Sequence, residues 1–209
     1  FFGRVALERT MTEKEQRQET LSIIIPIYNE KKTVLEIIEK VRKADILGLK
    51  KELILIDDGS SDGTRDILKK VNNAKVFFHE TNKGKGAAVR IGLQHAKGEI
   101  ILIQDADLEY DPNDYKTLLE PIINKKADVV FGSRFVHGVG SDKNMYYSHY
   151  IGNLLLTIMT NILYSVKLTD METGYKVMKK QVLECIKLQA MKFDIEPELT
   201  AKILKKGIP

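Results

Sequence analysis

Asp105 and Asp107 close an apolar run, Ile100–Ile103, and are spaced two residues apart. Such a run suits a buried strand, and residues i and i+2 of an extended segment point to the same side. Two carboxylates on one side of a strand end repel unless a cation lies between them. Hard oxygen donors suit Mg²⁺ or Mn²⁺, and Mg²⁺ is commonly held by one or two carboxylates together with substrate phosphates. The pair predicts a metal–diphosphate site at the carboxyl end of a central strand, with Asp105 and Asp107 as metal ligands. An acidic, solvated turn closed by Asp111-Pro112 carries the same residues, so the pair needs support from elsewhere in the chain.

Three further segments supply that support. Pro26-Ile27-Tyr28-Asn29-Glu30 ends one apolar run, and Asp57-Asp58-Gly59-Ser60-Ser61-Asp62-Gly63-Thr64 ends another. Asn82-Lys83-Gly84-Lys85-Gly86 precedes a helical pattern, where its glycines and lysines can approach a diphosphate at the helix N-terminus. Loops that follow parallel strands gather on one edge of the sheet, where open α/β folds bind ligands. Singly, each segment reads as a turn or a cap. Their occurrence together, in this order, does not.

The elements that must position them alternate along the chain. Strands are predicted at Leu21–Ile27, Leu53–Ile56, Lys75–His79, Ile100–Ile103, Val129–Phe131 and Tyr175–Met178. Helices are predicted at Lys31–Lys43, Thr64–Val71, Gly86–Ala96, Pro112–Asn124 and Glu198–Lys205. Continuously apolar strands alternating with helices argue for an α/β fold: a mostly parallel sheet with helices on both faces. The stretch Met145–Val166 stands apart. Leu154, Leu155, Ile158, Ile162 and Tyr164 can form one apolar helix face, preceded by Tyr146, Tyr147 and Tyr150. It reads either as a core or dimer helix, or as a helix at a membrane interface with tyrosines at headgroup depth.

Length and composition exclude little. The 209 residues suffice for one α/β domain. A net charge of +4, with Lys and Glu mixed along the chain, gives no sign of a nucleic-acid partner. The lone Cys185 allows no internal disulfide or thiolate metal site and reads as a small buried residue in a protein of a reducing compartment. No apolar run reaches the roughly 18–20 residues of a membrane span. Residues 1–18 are expected to be a disordered or extraneous leader and 19–209 the functional domain, ending short of its natural C-terminus.

With these motifs in order, the chain resembles an inverting family 2 glycosyltransferase of the GT-A, Rossmann-like fold. Within that family it is similar to the polyprenyl-phosphate sugar transferases of the dolichyl-phosphate mannose synthase type. The matching stretches are Pro26–Glu30, Asp57–Thr64, Asn82–Gly86, Asp105–Pro112, Gly132-Ser133-Arg134 and Asp170-Met171-Glu172-Thr173-Gly174-Tyr175-Lys176. The resemblance implies that Pro26, Tyr28, Glu30, Ile56, Asp58, Asp105, Ala106, Asp107 and Glu109 line the nucleotide-sugar site. It implies that Asp107 and Arg134 serve catalysis, and that Arg134, with Lys143, faces an acceptor phosphate. Two departures stand out. Glu109 occupies a place where the mannose synthases carry Gln, and between Arg134 and the apolar helix only Lys143, His137 and His149 can add positive charge.

The resemblance further implies a reaction: metal-dependent transfer of a hexose, mannose or glucose, from GDP-mannose or UDP-glucose to a polyprenyl (dolichyl-type) phosphate. The cofactor is Mg²⁺ or Mn²⁺, and the place of work is the cytoplasm, peripherally at the cytoplasmic face of the membrane. A family 2 transferase acting on a glycan hydroxyl, and a nucleotide-sugar-binding module without turnover, remain as alternatives. Nothing in the residues bears on oligomeric state.

Overall fold

The computed structural model describes residues 18–135 and 147–208. Nearly all of the expected leader, together with His137, Lys143 and Tyr146, lies outside the described residues. Six strands form one sheet: β1 (Thr20–Ile27), β2 (Lys50–Asp57), β3 (Lys75–Phe78), β4 (Ile100–Ile103), β5 (Val129–Phe131) and β6 (Lys176–Lys179). Their order is β3-β2-β1-β4-β6-β5. β1 pairs in parallel with β2 and β4, and β2 with β3, while β6 is antiparallel to both β4 and β5. Five strands therefore run one way and β6 alone runs against them. The segment that enters β6, Asp170–Tyr175, consequently arrives at the same sheet edge as the loops that leave β1, β2, β4 and β5.

The sheet is covered on both faces, as expected. Alternation along the strands sends Ile23, Ile25, Leu53, Leu55, Ile100 and Leu102 to one core and Ile24, Ile54, Ile56, Ile101 and Ile103 to the other. The first core is closed by α1 (Val34–Lys43), α2 (Thr64–Leu68) and α4 (Tyr115–Ile123), the second by α3 (Lys85–His95), α6 (Lys180–Glu184) and α7 (Ile195–Lys205). A 3₁₀ turn, Pro112–Asp114, leads into α4, and the Asp111 side chain caps it by accepting from the Asn113 amide at 3.0 Å.

Several features differ from expectation. α7 starts at Ile195 rather than Glu198, because Pro197 sits in its first turn, where no backbone N–H is needed. α6 is a short helix with no predicted counterpart. Cys185, expected to be buried, is exposed just past α6.

The helix α5 (Tyr147–Tyr164) answers to the apolar stretch, but it is inside out for a core helix. Its inner face is polar: Asn153, Thr157 and Thr160 are buried. Its outer face exposes Leu154, Leu155, Ile158, Met159, Ile162 and Leu163, the last two at 73% and 72%. The cause is the segment it covers. Asn161 accepts from the Leu168 amide and donates to its carbonyl, Thr157 accepts from the Met171 amide, and Asn153 donates to Asp170. Buried backbone groups outside regular structure need partners, and this helix supplies them at the expense of its apolar side. No helix among the described residues is long and apolar enough to cross a membrane.

Candidate active site

A cavity of about 330 Å³ opens at the carboxyl edge of the sheet. Seven of the predicted site residues line it: Pro26, Tyr28, Glu30, Asp58, Asp105, Ala106 and Asp107. They come from the ends of β1, β2 and β4, as the parallel order requires. The backbone there is bent: Asn29 and Leu108 take left-handed φ values of 57° and 68°. That conformation costs a non-glycine residue roughly 1–2 kcal/mol, and at Leu108 it turns the chain directly after Asp107.

Asp105 and Asp107 have different surroundings. Asp105 lies 2.7 Å from the Lys85 ammonium, which also reaches Glu196 at 3.0 Å. Burial alone depresses the Lys85 ammonium, but the Asp105 and Glu196 carboxylates outweigh it and hold it well above an ordinary lysine. Asp107 is exposed and accepts from the Glu109 amide at 3.0 Å. Partial desolvation, with the like charges of Asp105 and Glu30, raises its pKa against the pull of that amide and of Lys85.

Behind the carboxylates the packing is tight and polar. Gly174 stands where any Cβ would collide with the Asp105 carboxylate. Its amide donates to the Tyr110 hydroxyl at 2.8 Å, and Tyr110 stacks on Tyr175 with 4.8 Å between ring centroids. Burial is the main cause that pushes the Tyr110 hydroxyl up to about 12, so it stays protonated. Gln104 donates to the carbonyls of Asp105 and Tyr110 and accepts from the Tyr115 hydroxyl at 2.9 Å. These contacts explain the Thr173-Gly174-Tyr175 segment as the back wall of Asp105.

Asp58 lines the cavity, but its oxygens serve its own chain. It accepts from the amides of Lys83 (2.9 Å) and Gly84 (2.8 Å) and lies 2.6 Å from His79 Nδ1. It thereby shapes the glycine-lysine loop ahead of α3. Gly84, at a left-handed φ of 96°, lies against Met191, so that loop is pinned from its other side by the segment before α7.

Three predicted site residues fall elsewhere. Ile56 is a core residue, fully buried on the face under α3, because it alternates with Leu55 and Asp57 along β2. Glu109 is exposed beside Asp107 and adds to the negative charge felt by Arg134. Arg134 follows β5 outside the cavity lining, 17% exposed, in a two-bond pair with Asp170. Tyr110 is near enough to both Asp105 and Arg134 to feel their charges. Lys143 lies outside the described residues.

Lys192 and Phe193 also line the cavity, Phe193 at 77% exposure, and neither is marked by the sequence patterns. Nor is Glu196, which reads in sequence as one more acidic residue of a helix start. Asp170 belongs to a motif without an evident chemical task until its partner Arg134 is seen.

The donor set fits a divalent cation that arrives with a diphosphate. Among the described residues no group of three or more His, Cys, Asp or Glu is gathered around one point. Asp107 presents an exposed carboxylate, and Asp105, largely buried and paired with Lys85, lines the same cavity; one or two carboxylates are what Mg²⁺ or Mn²⁺ takes from protein when phosphates and water complete the shell.

Comparison with known proteins agrees with this geometry. The Mycobacterium tuberculosis glucosyl-3-phosphoglycerate synthase, solved with UDP, matches with a TM-score of 0.71 at 21% identity, over 90% of this chain and 66% of that one. The same enzyme solved with Mn²⁺, UDP and phosphoglyceric acid also matches at 0.71. These are GT-A glycosyltransferases, and the likeness shows that fold. In sequence, the dolichol-phosphate mannosyltransferase of Pyrococcus furiosus is 29% identical over 186 residues, covering 87% of this chain and 52% of that protein. The UDP-N-acetylglucosamine–dolichyl-phosphate N-acetylglucosaminyltransferase of Methanococcus voltae is 31% identical, covering 80% of this chain and 72% of that protein. The chain thus spans about half the length of the first relative and nearly three quarters of the second. Residues 22–187 match the Glycosyl transferase family 2 profile, and the chain belongs to that family.

Proposed function

We propose that this domain transfers a hexose from a nucleotide diphosphate sugar to a polyprenyl phosphate, with inversion at the anomeric carbon. The observation that carries the reading is the grouping itself. Asp105, Asp107 and Lys85 share one cavity, Arg134 is near enough to Tyr110 behind Asp105 for the two to feel each other, and the apolar face of α5 is turned outward on the segment that holds Arg134. Both named relatives use dolichyl phosphate acceptors, which fits the same assignment.

In this reading Pro26, Tyr28, Glu30 and Asp58 receive the nucleoside, and Lys85, at the N-terminus of α3, faces the diphosphate. Asp107 and Asp105 would hold a Mg²⁺ or Mn²⁺ ion, which would neutralise charge on the leaving diphosphate. The acceptor phosphate is already an anion at neutral pH, so no strong general base is needed. Its oxygen attacks the anomeric carbon as the bond to the nucleoside diphosphate breaks, and the bonding pair leaves on the diphosphate oxygen. Arg134 orients the attacking phosphate, with Asp170 fixing the plane of the guanidinium. The outer face of α5 lies against the membrane surface that carries the lipid, peripherally and on the cytoplasmic side.

The test is a donor screen. GDP-mannose, UDP-glucose and UDP-N-acetylglucosamine are each offered with a short polyprenyl phosphate and Mn²⁺ or Mg²⁺, and the lipid is weighed by mass spectrometry. One donor should add one sugar to the lipid. Asp107→Ala and excess chelator should each abolish the product, while Asp107→Ala melts no lower than the parent, because it removes like charge beside Asp105. Full transfer by Asp107→Ala overturns the metal assignment.

A further inference from the structure

Behind the cavity, four charged side chains from four elements stand in a row: Asp105 after β4, Lys85 at the start of α3, Glu196 in the first turn of α7, and Lys176 at the start of β6. Lys85 lies 2.7 and 2.9 Å from the two oxygens of Asp105 and 3.0 Å from one oxygen of Glu196, whose other oxygen takes the Lys176 ammonium. Side-chain exposures of 16%, 13%, 8% and 0% along the row remove it from the class of surface ion pairs. The charges alternate in sign and cancel. Glu196 lies beyond residues 22–187, the span that matches the family profile.

We infer that Glu196 is a positioning residue for the donor site: by sharing Lys85 with Asp105 it leaves Asp105 able to bind a divalent cation. The inference rests on the reading above that Asp105 and Asp107 hold a metal–diphosphate.

The physical argument concerns how one ammonium divides itself. In a dry site the attraction between unit charges is far larger than in water. If Lys85 had Asp105 as its one anionic partner, the two would neutralise each other, and a cation would have to displace the lysine to use the carboxylate. Glu196 draws the ammonium toward itself from the other side. Asp105, whose two oxygens both meet that shared ammonium, then keeps part of its negative charge for the cavity, where Asp107 adds its own. Lys176 balances Glu196, so the row as a whole has no net charge to desolvate. Lys176 and Glu196 would satisfy each other without Lys85; the reach of Glu196 to a cavity-lining lysine is what a purely structural pair does not require. The segment before α7 is built into the same wall, since Lys192 and Phe193 line the cavity and Met191 lies against Gly84. Groups behind a metal ligand commonly control its affinity by roughly ten- to a hundred-fold.

The test measures Mn²⁺ binding rather than turnover. Mn²⁺ is titrated into the protein with a fixed excess of UDP or GDP, and the unbound ion is followed by its EPR signal. Glu196→Gln should raise the apparent Kd for Mn²⁺ by roughly ten- to a hundred-fold. In the transfer assay the same variant should need correspondingly more Mn²⁺, with its deficit shrinking as Mn²⁺ is raised. Glu196→Gln also leaves Lys176 buried without an ionised partner and should melt earlier. The double variant Glu196→Gln/Lys176→Met removes that orphan cation, so its melting temperature should recover while the Mn²⁺ defect stays. Parent-like Mn²⁺ affinity in Glu196→Gln overturns the inference, as does a Mn²⁺ defect that disappears with the recovered melting temperature. A parent protein that binds no Mn²⁺ with either nucleotide overturns the metal-site reading and this inference with it, a result distinct from the other two.

Discussion

Arg134 and Asp170 meet edge to edge: Nε stands 2.8 Å from Oδ2 and Nη2 stands 2.9 Å from Oδ1. The same Oδ1 accepts from the Asn153 amide of α5 at 2.7 Å. The arginine assigned to the acceptor phosphate is thus tied, through one buried carboxylate, to the helix assigned to the lipid surface.

That geometry sets the expected behaviour of Arg134→Ala. A lost charge-assisted hydrogen bond costs about 1.5–3 kcal/mol, or roughly ten- to a hundred-fold. The loss should appear in the KM for polyprenyl phosphate or in kcat, and calorimetry should find nucleotide binding nearly intact. Arg134→Lys should not restore function, because an ammonium cannot reproduce the fork. Equal damage to nucleotide binding would place Arg134 at the donor site instead.

Acid should weaken the fold through this pair. Burial alone raises the pKa of Asp170, but the bonds and charge of Arg134, with the Asn153 amide, outweigh it and hold the carboxyl below the ordinary carboxylate range. A group whose folded-state pKa is depressed contributes stability that is fully present above its unfolded value and lost as pH falls through the folded one. Denaturant melts of Asp170→Asn should show lower stability than the parent at neutral pH and a gap that narrows through the acid range. Two curves that stay parallel would contradict the depressed value. Glu196 shifts in the same direction, held ionised by Lys176 and Lys85 against burial, so part of the acid sensitivity should survive in Asp170→Asn.

The two faces of α5 should respond oppositely. Leu155→Glu/Ile158→Glu alters exposed side chains, so its melting temperature should barely move while sedimentation with anionic phospholipid vesicles falls. Thr157→Val alters the buried face and removes the acceptor of the Met171 amide, so it should destabilise the fold by about 1–3 kcal/mol. Unfolding of the double glutamate variant would mean that the outer face is covered by protein.

The strands and the cavity were legible because both follow from local pattern. Apolar runs such as Ile100–Ile103 can only be buried strands or helix segments, and the rule that parallel strands share a carboxyl edge then brings Pro26, Tyr28, Asp58 and Asp105 together. Motif likeness assigned Ile56 to the nucleotide-sugar site, whereas strand alternation sends its side chain into the core. Periodicity found the helix α5 without revealing which face turns inward, since that depends on backbone groups of Leu168, Met171 and Glu172 that Asn153, Thr157 and Asn161 satisfy. The row from Asp105 to Lys176 was invisible for a related reason. Asp105, Lys85 and Lys176 belong to separate motifs far apart in sequence, and Glu196, which joins them, reads alone as an ordinary surface charge.

Initial transfer rates should be compared, with the donor found in the screen, for a short polyprenyl phosphate, the matching polyprenol, and a soluble glycan bearing free hydroxyls. The phosphate should be glycosylated, and the two hydroxyl acceptors should give no product above background, because neither brings an anionic nucleophile for Arg134 to hold. Transfer to the polyprenol or the glycan at a rate equal to or above that of the phosphate would contradict a lipid-phosphate acceptor and point to a hydroxyl-directed transferase with a general base.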